Sequence, residues 1–384
     1  MEVKQIYEIV NEITKETLGE ETLVAEDLSN IVDIGTEVFN QSQVDNYVKS
    51  LIDHIGKVIF VNRPYAGSAP SVLMDGWEYG SILEKIKCEM PEAEANESWE
   101  LEDGASYDPN IFYKPKVSAK FFNKRVTYDV PMSFTEMQVK EAFSNAAQLN
   151  GLMSMLQTSI DKSMTVKTDG LIMRTINNMI GETLHADYGS SSLTGGSGMK
   201  AVNLLYLYNQ RFSKSLTAAN ALTDMDFLKY ASMYIGLYET RMRKISTLFN
   251  IGGKERFTTP DVLHVVLLAD FVKAADVYLQ SNTFHDEFTK LPSAETVPYW
   301  QGSGTSYSFS DVSKINIKTS SGDDIECGGI LGVMFDRDTL GVTNINKRVT
   351  SNYNPKAEFW NNWYKYDAAY FNDMDENFVV FFIA

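Results

Sequence analysis

The sequence predicts an α+β protein on three observations. Apolar residues recur at helical spacing from Phe143 to Ile180, a charge-sorted two-stranded ribbon spans Asp75 to Ser133, and strand patterns dominate beyond Pro292, ending in the unbroken apolar stretch Phe378–Ile383. At 384 residues the chain is long enough for a large core, divided between two lobes. Its hydrophobic content of 44% and charged content of 22% are those of a folded protein, not a disordered one.

Composition also removes several function classes. With 51 acidic against 34 basic residues, the formal net charge is −17, which repels a polyphosphate at long range and leaves no basic footprint for reading nucleic acid directly. Cys88 and Cys327 form no CxxC or zinc spacing, so neither a disulfide framework nor a metal knuckle is expected, and a reducing compartment fits. The N-terminal stretch MEVKQIYEIVNEITKETLGEE is acidic and amphipathic, unlike a secretory signal. No apolar run reaches the length of a bilayer span, and the sequence reads as that of a soluble protein with no membrane partner.

Along the chain, Val3, Ile6, Tyr7, Val10 and Ile13 recur at helical spacing, and a second amphipathic stretch from Leu28 to Ile55 follows. Asn62, Pro64, Gly67 and Pro70 break this leader and introduce the ribbon. In the ribbon Glu92, Glu94, Glu97, Glu100, Glu102 and Asp103 lead out, and Lys114, Lys116, Lys120, Lys124 and Arg125 return. A two-stranded ribbon of that length cannot bury itself, so its apolar and aromatic residues, among them Trp77, Ile86, Met90, Trp99, Phe112, Tyr113 and Phe121, need a cover. Another copy of the chain supplies one, and the twelve residues Glu92, Glu94, Glu97, Trp99, Glu100, Glu102, Asp103, Lys114, Lys116, Lys120, Lys124 and Arg125 are the candidate inter-subunit arm. The opposite charges either pair across one hairpin or set the register of the arm on a neighbour.

Val126, Tyr128, Val130 and Met132 alternate with polar residues and predict a strand covered on one face. Ser133 and Glu136 spell a Ser-x-x-Glu capping box and predict a helix start. The stripe from Phe143 to Ile180 is one long helix, or two with a joint near Gly170. Gly189 to Gly198 is a loop, helical patterns run from Val202 to Phe212 and from Asp226 to Phe249, and Thr258 to Val277 is ambiguous between strand and helix. Strands follow at Ile315–Thr319 and Ile330–Phe335, with a turn at Ser321–Asp324, and Phe378–Ile383 inserts into a sheet inside the body.

Enzymatic signatures are missing: no P-loop lysine, no HExxH helix and no GxSxG elbow, so no catalytic residue, cofactor or metal is assigned. Gly195, Gly196 and Gly198 lack a preceding strand and a correctly spaced lysine, which favours a plain loop over a phosphate cradle. Asp336, Asp338 and Gly341 begin like a calcium loop, but Leu340 and Lys347 occupy ligand positions, so a solvated turn is preferred. The cluster Phe359, Trp360, Trp363, Tyr364, Tyr366, Tyr370 and Phe371 reads as core or subunit contact in preference to a glycan-stacking or receptor-binding platform.

The order of elements, together with GGILGVMFDRDTLGV (Gly328–Val342) and SNYNPKAEFWNNWYKYDAAYFNDMDENFVVFFIA (Ser351–Ala384), resembles the tailed-bacteriophage major capsid proteins of the Hong Kong ninety-seven coat fold. The resemblance implies an N-terminal helical arm (1–74), an extended loop lying over the adjacent subunit (75–133), a peripheral domain with the spine helix (134–225), an axial domain (226–369) and a return strand to the peripheral domain (370–384). It further implies a structural, non-enzymatic subunit of the virion, assembled in the host cytoplasm. Pentamers and hexamers would tile an icosahedral shell around double-stranded DNA, bound without sequence specificity. Some family members carry a long N-terminal scaffolding segment where this chain has residues 1–74, so a separate scaffold protein is expected, with portal and decoration proteins as further partners. An encapsulin-like compartment shares the fold and is the structural alternative.

Overall fold

The computed structural model describes residues 11–12, 14–15, 69–74, 83–91, 93, 103, 110–135, 137–138, 146–189, 192–280, 291–301 and 308–384. The helical leader falls mostly outside this set, but residues 11, 12, 14 and 15 are helical. Gly80, Gly104 and the segment Pro64–Pro70, which the sequence suggests as hinges, lie outside it except for residues 69 and 70.

The body is organised around one mixed sheet with both faces buried. Its strands are β4 (Ala201–Asn203), β5 (Leu263–Leu268), β6 (Glu295–Val297), β9 (Ile330–Asp336) and β12 (Phe378–Phe382), in the order β4-β12-β9-β5-β6. Strand alternation sends neighbouring residues to opposite faces, and in β12 both faces are apolar. Phe378, Val380 and Phe382 enter one core with Val266, Leu268, Val333 and Phe335, while Val379 and Phe381 enter a second with Val265, Leu267, Leu331 and Met334. The expected insertion of the last apolar strand is therefore what the fold shows. It pairs in parallel with β4 and antiparallel with β9.

The first core is roofed by helix α1 (Ala146–Tyr188), a single unbroken helix of 43 residues that runs through Gly170 without a joint. At 1.5 Å per residue it spans about 65 Å. Leu171, Ile172, Ile176, Met179, Ile180 and Leu184 turn the same stripe inward. The second core is closed by α2 (Leu204–Phe212), α3 (Met225–Met242) and α4 (Ala269–Gln280), which bring Tyr208, Phe227, Tyr238 and Phe271 against the other face. The ambiguous stretch 258–277 contains both alternatives in succession, β5 and then α4.

A second sheet flanks α1. The strands β3 (Arg125–Thr135), β10 (Leu340–Asn354) and β11 (Phe359–Asn372) form an antiparallel sheet in the order β10-β11-β3. Its inner face carries Tyr128 and Phe134 from β3, Val342 from β10, and Trp360, Tyr364 and Tyr366 from β11, and α1 packs against all three strands. The aromatic cluster is thus mainly core: Trp360, Tyr364, Tyr366 and Phe371 are buried. The outer face is polar, with Asp367 accepting from Thr127 Oγ1 at 2.5 Å and paired to Arg348 at 2.7 Å.

One local expectation is corrected. The helix-capping box is displaced by two residues: Thr135 Oγ1 accepts from Gln138 N at 3.2 Å and Gln138 Oε1 accepts from Thr135 N at 3.0 Å, whereas Ser133 Oγ donates to Asn361 at 2.6 Å because β3 continues through Thr135. Residues 340–372, assigned from resemblance largely to the axial unit, form a sheet with β3 and lie on the spine helix. The return strand β12 has a neighbour on each side of the expected boundary, β4 and β9. The small antiparallel pair β7 (Ile315–Lys318) and β8 (Asp324–Cys327) matches the expected strand and turn, and Gly322 takes the positive φ of that turn.

Candidate subunit-contact surface

The ribbon is present as the antiparallel pair β1 (Leu83–Cys88) and β2 (Val117–Phe122), joined by strand hydrogen bonds to no other strand among the described residues. Of the twelve arm residues, Glu92, Glu94, Glu97, Trp99, Glu100 and Glu102 lie outside the described residues. Asp103, Lys114, Lys116, Lys124 and Arg125 are exposed, and Lys120 is half-buried.

The period-2 pattern of the ribbon is inverted relative to an ordinary amphipathic strand. Leu83, Lys85, Lys87, Lys120 and Phe122 share the side facing the body; Glu84, Ile86, Cys88, Val117, Ala119 and Phe121 share the side facing out. Ile86 is 65% exposed and Phe121 63%, and the adjoining Phe112 and Tyr113 are 84% and 76% exposed. Apolar groups on the outer face and ammonium groups on the inner one place the hydrophobic surface where it meets only water in a single subunit.

The inward lysines meet an acidic turn. Residues 373–376 connect β11 to β12, and Lys120 Nζ lies 2.9 Å from Asp373 Oδ1 and 2.5 Å from Asp375 Oδ2. Lys85 Nζ lies 3.2 Å from Asp373 Oδ2 and 5.0 Å from the Phe371 ring centroid, and it also donates to the Asp338 carbonyl. Lys87 pairs with Glu376, whose carboxylate is also 3.5 Å from Arg256. Lys254 reaches Glu89 at 3.2 Å, and the Phe122 and Phe371 rings pack at 5.3 Å. Burial pushes the Asp373 carboxyl up, but Lys120 and Lys85 outweigh it and hold its pKa below the ordinary value. For Lys120, burial opposes the charge and the hydrogen bonds to Asp375 and Asp373 prevail, raising its pKa.

The acidic residues Glu92 to Glu102 lie outside the described residues, so the described ribbon shows how its lysines are seated and not how its two halves pair. Where the ribbon is described, Lys85 lies opposite Lys120 and Lys87 opposite Ser118, so the lysines are neutralised by the body and not by an acidic partner strand. Lys85, Lys87, Asp373, Asp375 and Glu376 were missed by sequence reasoning. Two signals mark them: the Lys-Ile-Lys alternation of 85–87, and the acidic run Asp373-Met374-Asp375-Glu376 directly before an apolar strand.

The other motifs resolve into structure. Asp336 Oδ1 accepts from Asp338 N at 2.9 Å and Oδ2 accepts from Thr258 Oγ1 at 2.8 Å, which ties the β9–β10 turn to the chain before β5. Lys200 of the glycine-rich segment pairs with Asp187 of α1 at 2.6 Å. Among the described residues no His, Cys, Asp and Glu group has the geometry of a metal site, and no helix is long and apolar enough to cross a membrane.

No curated protein matches the sequence. Among solved structures, the capsid of Staphylococcus phage Andhra aligns with a TM-score of 0.49 at 9% identity, covering 84% of this chain and 86% of the other. The capsid of Cyanophage P-SCSP1u aligns at 0.42 and 9% identity, covering 84% and 90%, and the mature capsid of bacteriophage PhiM1 at 0.41 and 8%, covering 85% and 88%. The model of the Phi29-like phage major capsid protein family matches residues 9–382. Nearly the whole chain is covered by that match, and the protein, a structural coat subunit of a tailed phage, belongs to this family.

Proposed function

We propose that the subunit assembles with copies of itself into pentamers and hexamers of an icosahedral shell enclosing double-stranded DNA, and that the ribbon is the arm laid on a neighbouring subunit. The observation that carries the arm is its inverted face. Ile86 and Phe121 on the outer face, with Phe112 and Tyr113 in the adjoining segment, present apolar side chains to solvent, and covering them in a neighbour returns about 25 cal/mol for each Å² removed from water. Exposed Lys114 and Lys116 in the same segment supply the polar rim that fixes register. A net charge of −17 suits a shell whose contents are held by enclosure and not by tight binding. Scaffold, portal and decoration proteins belong to the same proposal.

The proposed units are the arm (1–74), the extended loop (75–133), the peripheral unit with the spine helix (134–225), the axial unit (226–369) and the return strand (370–384). In this scheme the axial unit meets the spine helix through β10 and β11, which share with β3 the sheet that α1 covers.

The test is electron microscopy of the purified chain, alone and with the phage's scaffold, beside the variant Phe112→Ser/Phe121→Ser. Shells formed by the unaltered chain and lost in the variant, with the subunit's thermal unfolding unchanged, are the expected result. Shells of undiminished yield from the variant would remove the ribbon from the contact. Particles recovered from infected cells that enclose protein and no nucleic acid would move the reading to a cargo compartment.

A further inference from the structure

The ribbon's hold on its own subunit is unusual in its chemistry. Its contacts with the body, among the described residues, are mainly ionic and aromatic: Lys85 and Lys120 on Asp373, Lys120 on Asp375, Lys87 on Glu376, Lys254 on Glu89, and the Phe122–Phe371 ring pair. No other described strand is hydrogen-bonded to β1 or β2. Lifting β1 and β2 therefore breaks ion pairs that water can replace, and it leaves both cores of the body closed. A strand seated by apolar packing has no such option, since moving it opens a cavity.

The acidic turn, by contrast, is fixed. Asp373 N donates to Thr339 O at 2.7 Å, Gly252 N donates to Met374 O at 2.8 Å, and Asp375 N donates to Asp373 Oδ1 at 3.2 Å. A Cβ at Gly252 would lie 2.0 Å from Asp375 Oδ1, so the 249–256 loop is pressed directly onto the turn. Arg256 stays on Glu376 from the body side when Lys87 leaves. A rigid carboxylate rack thus faces a ribbon that carries three lysines at successive positions, Lys85 and Lys87 on one strand and Lys120 on the other.

We propose that the 373–376 turn is an electrostatic latch that holds the ribbon root in a lowered seat and releases it to a raised one, giving a single sequence two arm angles. The inference rests on reading the ribbon as the inter-subunit arm, and it adds a regulating device on the subunit's own surface. Release proceeds lysine by lysine, so the equilibrium is graded by ionic strength and by whatever charge a neighbour brings to the turn.

The experiment uses the unassembled subunit, so that its outcome is independent of shell formation. Cys88 is exposed on the outer face of the ribbon, whereas Cys327 is buried with its thiol pushed up to about 12, so a nitroxide maleimide attaches to Cys88. A second label at Thr240→Cys, on the exposed side of α3, gives a distance across the latch by pulsed electron resonance. One short population is expected at about 0.01 M salt, with a longer one growing towards about 1 M as the screening length falls from about 30 Å to about 3 Å. Lys85→Gln/Lys87→Gln/Lys120→Gln should show the longer population at every salt concentration, and the corresponding Lys→Arg variant should restore the shorter one. A distance distribution that ignores both salt and the glutamine substitutions overturns the latch. If the substituted chains do not fold, the salt series on the labelled chain with all three lysines decides alone. Failure of the chain to form shells would strike the arm reading instead and leave these distances as they are.

Discussion

At the scale of single residues, Asp373 ties the ribbon to the body. Its carboxylate is 2% exposed and serves two lysines and a backbone amide. A depressed carboxyl pKa means that its stabilisation is complete above the ordinary aspartate value of about 3.9 and is lost as pH falls through the lower folded value. The raised pKa of Lys120 acts at the other end: its contribution is complete below the ordinary lysine value of about 10.4 and is lost as pH rises through the folded one. Asp373→Asn should therefore cost about 1–3 kcal/mol at neutral pH, measured by urea unfolding, and should flatten the acid limb of the stability curve. An acid limb as steep as that of the unsubstituted chain would show that other carboxylates set it. The sequence displayed these charges, but linear distance hid their pairing, since Lys85 and Asp373 are 288 positions apart. Lys85, Lys87 and Lys120 find their carboxylates in a turn from the far end of the chain, a partner that no local pattern announces.

At the scale of elements, legibility followed local periodicity. The helical spacing of α1 and the two-residue alternation of β3 were readable as local periods, and the apolar stretch that became β12 was readable because it buries both faces. The capping box was misplaced because two adjacent candidates exist, Ser133/Glu136 and Thr135/Gln138. Pairing of Thr135 with Phe359 keeps the strand going past the first, and nothing local announces that partner. Of the two readings at Gly170 the unbroken helix is the one realised: the core holds the helix from Leu171 onwards, which outweighs the propensity of one glycine. A Cβ at Gly170 would meet nothing within 4 Å, and the position is exposed. Gly170→Ala should then stabilise the subunit by about 0.5–1 kcal/mol, read as a raised thermal midpoint. A lowered midpoint would mean that the glycine is needed for a bend or a close neighbour.

At the scale of the whole molecule, the family and the coat fold were legible from element order, whereas the sheet to which each strand belongs was not. Residues 340–372 follow β9 directly in sequence yet belong to the other sheet, because the β9–β10 turn at Asp336–Thr339 carries the chain from one to the other. The same scale governs association. Copies that each carry −17 repel at long range, so the initial rate of assembly should rise as salt is added from low ionic strength, followed by light scattering. A rate indifferent to salt would remove charge from the encounter step. The position of β12 reaches further. Among the strands of the body sheet it is the last to be synthesised, yet it lies in the interior of the order, with β4 on one side and β9 on the other. Until the ribosome has delivered it, those two neighbours face a gap with unpaired backbone edges, and each half-built core lies open. A nascent subunit is thus barred from closing early, and growing chains crowded on one message are at their stickiest just before the final strand snaps into place.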